Sequence, residues 1–214
     1  MSQFEQRWIE RFVECGALQM HDGDTGNPHI VNRYTGAHMS LCFMAKPFTQ
    51  RVAFMELAAR HLKQALRHEK VDFDKLRRVV GVDEDYGLTL AYSLAKELGC
   101  DCGYHESGYH KLNEVVPDIY RNENILLFED WLTYDRNAIS ESLLDDVKRK
   151  QANLLPYIVC LFNGSGREEI GGRKIIALVH RVMNLWDITE TCRLCQEGSP
   201  IVYADDIFQP AQTK

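Results

Sequence analysis

The chain has 214 residues, enough for one domain of ordinary size, with room for a small appendage and a substantial core. Apolar residues at 45% and charged residues at 26% are globular values. The formal charge of -6 argues against a general nucleic-acid binder, which presents a basic face. No apolar run approaches the roughly 18 residues of a membrane span, so neither a membrane nor a nucleic acid is expected as partner. Met1 to Trp8 lacks the basic and apolar sections of a signal peptide. Seven cysteines without a secretory context are expected as reduced thiols in a cytoplasmic protein.

In chain order, Phe4, Trp8, Ile9, Phe12 and Val13 recur at helical spacing, and Gly16 can close that helix. A Gly- and Asp-rich turn at 21–27 leads into two short β-like runs, His29–Tyr34 and His38–Met44, which suit a small antiparallel extension. Pro47 opens a long helix to about Glu69, with Val52, Met55, Ala59, Leu62 and Leu66 on one face. Arg77–Val82 reads as a first core strand, Tyr86–Gly99 as the helix after it, and Cys100–Tyr104 as a second strand. Ile125–Phe128 has the length and composition of a buried parallel strand, followed by a helix over 136–151 and strands at Tyr157–Phe162 and Lys174–Val179. Strands alternating with helices at this spacing imply a parallel sheet with right-handed crossovers. The glycine-rich run Gly164–Arg173 lacks the Lys-Ser or Lys-Thr ending of a nucleotide-binding loop and serves as a connector.

Asn124–Ser140 is the stretch around which the rest is organised. Two adjacent carboxylates, Glu129 and Asp130, stand where the apolar strand is expected to end. The turn Thr133-Tyr134-Asp135-Arg136-Asn137 follows, and then a helix carrying Ala138, Ile139, Leu143, Leu144 and Val147. Ligands of open α/β sheets collect outside the carboxyl ends of strands, beside helix amino termini that favour anions. The arrangement suits a ligand with both hydroxyls and a phosphate.

This run resembles the ribose-phosphate signature of the type I phosphoribosyltransferases: apolar strand, two acids, a Thr-Thr-Gly turn, then Ser or Thr at the helix start. The resemblance implies that Glu129 and Asp130 hold the ribose hydroxyls of phosphoribosyl diphosphate. It also implies that the turn, with Thr133 as its first Thr, cradles the 5-phosphate. Tyr134 stands where the family has its second Thr, Asp135 where it has Gly, and Asn137 where it has Ser or Thr. Arg136 either supplies a fixed charge to the phosphate or pairs with Asp135 or Glu141 on the surface. The opening helix, Glu14-Cys-Gly-Ala-Leu18, the acidic loop and the short strands resemble the amino-terminal hood of orotate phosphoribosyltransferases. Thr191–Val202 resembles the closing segment of many nucleotide phosphoribosyltransferases. The implied fold is α/β, with a parallel-sheet core over 46–214 and a small hood over 1–45; a homodimer is implied by resemblance.

Two further loops fall where that family binds and reacts. Gly81-Val-Asp83-Glu84-Asp85-Tyr86-Gly87 occupies the place of the diphosphate loop, but carries three carboxylates. They fit either a magnesium-bridged site or an acidic surface loop; the second is preferred, because magnesium keeps substrate phosphates among its ligands. His105, His110 and Lys111 fall in the place of the mobile catalytic loop, where His110 or Lys111 would steady the departing diphosphate. The same residues also read as solvated loop. Cys100, Cys102, His105 and His110 have zinc-type ligand chemistry, as has the separate pair Cys192-x-x-Cys195. Small buried thiols are preferred for both sets.

The function class named from the sequence is a magnesium-dependent phosphoribosyltransferase, orotate-type by its hood, with phosphoribosyl diphosphate or a nucleotide-like small molecule as ligand. The alternative is a catalytically impaired relative that binds such a ligand, or a protein partner, in a regulatory role.

Overall fold

The computed structural model describes residues 1–33, 35–82, 86–105, 115–116, 118–133, 141–186 and 191–207. Helix α1 (Gln3–Glu14) starts where Ser2 and Glu5 close a capping box, the Ser2 hydroxyl accepting from the Glu5 amide and the Glu5 carboxylate accepting from the Ser2 amide. Short strands β1 (Leu18–Met20), β2 (His29–Val31), β3 (His38–Met39) and β4 (Leu41–Phe43) follow, then α2 (Ala45–Thr49) and α3 (Val52–His68). The expected single helix from Pro47 is therefore two. Arg51 leaves helical geometry at φ -109° and ψ 81°, and the buried stripe of α3 is Ala58, Ala59, Leu62 and Leu66, whereas Val52 is 62% exposed.

The chain continues through β5 (Arg78–Gly81), α4 (Tyr86–Leu98), β6 (Asp101–His105), β7 (Val115–Val116), β8 (Asn124–Leu132), α5 (Glu141–Arg149), β9 (Asn153–Asn163), β10 (Glu169–Ile170) and β11 (Arg173–His180). It closes with β12 (Leu185–Trp186), α6 (Arg193–Gln196), β13 (Ile201–Tyr203) and α7 (Ala204–Ile207). The glycine-rich connector is a hairpin: Ile170 pairs with Arg173 across Gly171 and Gly172, both at positive φ, as a tight two-residue turn requires.

The chain divides into two compact units, Met1–Phe48 with Val182–Lys214, and Thr49–Arg181. The sequence expectation assigned everything after residue 45 to the core. The structure places the last segment with the first instead, because β13 pairs parallel with β2 and β12 pairs antiparallel with β3. The first unit thus holds a four-stranded sheet, β12-β3-β2-β13, and a separate antiparallel pair, β1-β4. Its apolar centre is aromatic: Trp8, Phe12, Phe43 and Phe48 are buried, with ring centroids 5.0–6.4 Å apart.

The second unit is built on a seven-stranded sheet, β10-β11-β9-β8-β5-β6-β7, in which β11, β9, β8, β5 and β6 run parallel. These strands read as continuous apolar runs because both faces are covered. On one face Leu143 and Val147 of α5 pack with Val80, Leu127, Ile158 and Cys160. On the other, Leu90 and Leu94 of α4 and Ala58, Ala59 and Leu62 of α3 surround Phe128 and Leu161. No helix among the described residues is long and apolar enough to cross a membrane.

Candidate functional site at the carboxyl ends of β5 and β8

From β5 the chain moves to β6 on one side, and β8 then lies on the other side of β5. The order of the sheet therefore reverses between β5 and β8, and the helices leaving these two strands, α4 and α5, cover opposite faces. Such a reversal opens a crevice at the carboxyl ends of the two strands, where open α/β sheets take their ligands.

The β5–β8 ladder ends at the pair Gly81–Phe128, and the Val82 amide still donates to the Phe128 carbonyl at 3.0 Å. Glu129 and Asp130 are the next residues of β8, so relative to β5 they do stand at a strand tip. Relative to β9 they do not. Strand β8 continues to Leu132, with Glu129 opposite Cys160, Trp131 opposite Phe162 and Leu132 opposite Asn163. The strand expected to stop at Phe128 is thus longer by four residues, because β9 offers a ladder partner all the way.

That extension fixes the two carboxylates. Adjacent strand residues point to opposite faces, so Glu129 shares the face of Leu127 and Asp130 that of Phe128, and they do not form a side-by-side pair. Glu129 is only 7% exposed, whereas Asp130 is half-buried and accepts from the Trp131 amide at 2.7 Å. The position of Glu129 is felt by Cys160: burial, and then the negative charges of Glu129 and Asp130, push that thiol well above its ordinary pKa. Thr133 follows the strand and is buried.

The other wall of the crevice is the start of α4. Tyr86 and Gly87 are its first two residues, and a Cβ on Gly81 would stand 2.6 Å from the Gly87 carbonyl oxygen. Only glycine at 81 allows the tip of β5 and the first turn of α4 to approach so closely. Several sequence-predicted site residues, Asp83, Glu84, Asp85, His110, Lys111, Tyr134, Asp135, Arg136 and Asn137, lie outside the described residues. A groove between α3 and α4, lined by Met55, Arg60, Tyr92 and Lys96, lies on the helices rather than at the strand tips.

The two cysteine sets separate in the structure. Cys102 and His105, three residues apart on β6, point to opposite faces, so they cannot share an ion. Burial raises the pKa of both Cys100 and Cys102 to about 11, which keeps them protonated thiols. Cys192 and Cys195 instead meet His29 and His38, two residues that sequence reasoning did not single out. The Cys-x-x-Cys spacing was the available signal, but nothing in the spacing of the histidines ties them to it across more than 150 residues.

No family model matches the chain, and no curated protein does. Solved structures do. The chain is similar to UMP synthase from Leishmania donovani, with a TM-score of 0.62 and 14% identity over 84% of this chain, which spans 36% of that one. It is similar to orotate phosphoribosyltransferase from Aeropyrum pernix, with a TM-score of 0.60 and 15% identity over 81% of this chain and 93% of that one. Adenine phosphoribosyltransferase from Saccharomyces cerevisiae gives 0.56 and 14%, over 84% of this chain and all of the other. The fold of this chain is that of the phosphoribosyltransferases.

Proposed function

We propose that the chain is a phosphoribosyltransferase-like protein that binds phosphoribosyl diphosphate, or a nucleotide-like ligand, in the crevice between β5 and β8. The observation that carries this reading is the coincidence of the sheet's order reversal with Glu129 and Asp130, the first residues of β8 beyond its ladder to β5. In this role Asp130, the more accessible acid, takes the ribose hydroxyls, and Glu129, turned to the other face of β8, adds its negative charge to the strand tip. Tyr86 and Gly87 bring the amino terminus of α4 to the diphosphate, where free amides favour negative charge. Thr133 with Tyr134, Asp135, Arg136 and Asn137 receives the 5-phosphate. His110 and Lys111 close on the leaving group.

Magnesium suits this site, since the donors on the described tip are carboxylate oxygens, the ligands that a hard cation prefers. When bound with the substrate it neutralises diphosphate charge. An orotate-type acceptor base and a homodimer complete the reading. Support for a site that takes a phosphorylated ligand comes from the yeast adenine phosphoribosyltransferase, whose structure is a complex with an imino-altritol bisphosphate and adenine.

A second reading, binding without turnover in a regulatory role, is favoured by the burial of Glu129 inside a continuous strand. Calorimetry with phosphoribosyl diphosphate and magnesium tests the site. Saturable heat is expected with the parent chain, and Asp130→Asn should weaken binding at least about tenfold, the loss of one charged hydrogen-bond acceptor. No heat at millimolar ligand, or equal affinity in Asp130→Asn, would overturn the assignment. Diphosphate release on adding orotate separates the enzyme from the non-catalytic relative.

A further inference from the structure

His29, His38, Cys192 and Cys195 each offer one ligand atom, and all four atoms lie within 4.8 Å of one another. We propose that they form a structural zinc site that joins the two ends of the chain within the first unit. The proposal is independent of what the β5–β8 crevice binds.

Three of the distances between ligand atoms match the edges of a tetrahedron around zinc. With zinc–nitrogen bonds of about 2.0–2.1 Å and zinc–sulfur bonds of about 2.3 Å, ligand atoms stand about 3.3 Å apart for two nitrogens and about 3.5 Å for nitrogen and sulfur. Here Cys195 Sγ is 3.3 Å from His38 Nδ1 and 3.4 Å from His29 Nε2, and Cys192 Sγ is 3.7 Å from His29 Nε2. The two ring nitrogens, at 2.9 Å, need only part slightly to admit an ion.

The hydrogen bonds around His29 leave its Nε2 as the ligating atom. Ser199 Oγ donates to the Asn27 carbonyl at 2.8 Å and so accepts from His29 Nδ1 at 3.0 Å. That assigns the proton to Nδ1 and leaves Nε2 with one lone pair. His38 Nδ1, Cys192 Sγ and Cys195 Sγ all stand within 2.9–3.7 Å of that nitrogen, and Cys195 Sγ is also 3.3 Å from His38 Nδ1. Convergence of two thiols and a second imidazole on one ring nitrogen is what a ligand set gathered around an ion produces. Ser199 then plays the outer-shell part, orienting the ligating imidazole through its other nitrogen.

The backbone prepares the site. His38 pairs across from Val31, and His29 lies two residues before Val31 on the same face, so the histidines are diagonal neighbours on one side of the β2–β3 hairpin. Cys192 is the residue before the single turn of α6 and Cys195 lies within it, ahead of β13, which pairs with β2 at His29. Cys-x-x-Cys at a turn with two histidines from a hairpin is a closed Cys2His2 set. His29 and Cys192 are fully buried. Entry of one divalent zinc displaces two thiol protons to solvent, leaving a buried centre with no net charge. The unit needs such a link. Its four-stranded sheet is made of strands of two and three residues from opposite ends of the chain, and small folds with short ladders are commonly held by a metal.

The test is metal content of the full chain, purified without chelator, by mass spectrometry. One zinc ion per chain is expected. Cys195→Ser and His38→Ala should lose it, and Cys100→Ser and Cys102→Ser should keep it. Should the first two variants fail to fold, cobalt added to chelator-treated parent protein decides. Tetrahedral ligand-field bands with sulfur-to-cobalt charge transfer support the site. Failure of the parent to bind zinc or cobalt stoichiometrically, or an intact mass lower by two hydrogens from a Cys192–Cys195 disulfide, overturns it. Full zinc content in Cys195→Ser would overturn it equally.

Discussion

Replacing Glu123 with alanine is expected to lower the stability of the second unit by about 3–5 kcal/mol, the cost of stranding one partner of a buried ion pair. Arg78, on β5, and Glu123, just before β8, meet at 2.7 Å with side chains only 4% and 5% exposed. Glu123 also accepts from the Tyr120 amide at 2.7 Å, so its removal takes an acceptor from both the Arg78 Nε and that backbone donor. The pair sits at the opposite end of β5 and β8 from the acid tip, where it registers the two strands whose divergence makes the crevice. Urea denaturation measures the loss. The double variant Arg78→Met with Glu123→Met should recover most of it, since two apolar residues replace two desolvated charges, leaving about 1–2 kcal/mol for the Tyr120 amide. A single-variant loss under about 1 kcal/mol would mean that water reaches the pair.

Trp8→Ala should have an effect of similar size in the other unit, about 3–5 kcal/mol for emptying a large aromatic site. Trp8 is fully buried and packs on Phe12 at 5.6 Å and Phe48 at 6.4 Å between ring centroids, while Arg11 stacks on its outer side at 5.2 Å. In a unit with so few long strands, this aromatic cluster is the main apolar resource. Amide hydrogen exchange localises the damage: α1, β1 and β4 should lose protection, while β5, β8 and β9 keep theirs. Uniform loss across both units would contradict their separation into two cores.

Much of this architecture was legible in the sequence for physical reasons. Ile125–Phe128 announces a strand buried on both faces because four consecutive apolar residues have no solvent side to satisfy. Leu90, Leu94 and Leu98 announce α4 by period. What stayed hidden depended on partners distant in the chain. Glu129-Asp130-Trp131-Leu132 looks like a strand's end because carboxylates are poor strand formers, yet β9 supplies pairing that overrides the local preference. Strands of two and three residues, β12 and β13 among them, carry no period at all, so the return of residues 182–207 to the first unit could not be read locally. The same gap concealed His29 and His38 as companions of Cys192 and Cys195. At the crevice, residue types pointed to the tip, but the opposed directions of Glu129 and Asp130 follow from a register that only the sheet reveals.

The most direct measurement is a crystal structure of the chain grown with magnesium and phosphoribosyl diphosphate. Ligand density is expected across the carboxyl ends of β5 and β8, with a ribose hydroxyl in hydrogen-bond range of Asp130 and the diphosphate against Tyr86 and Gly87. Density confined to the α3–α4 groove, or an empty crevice at ligand concentrations that saturate the calorimetric signal, would contradict the account.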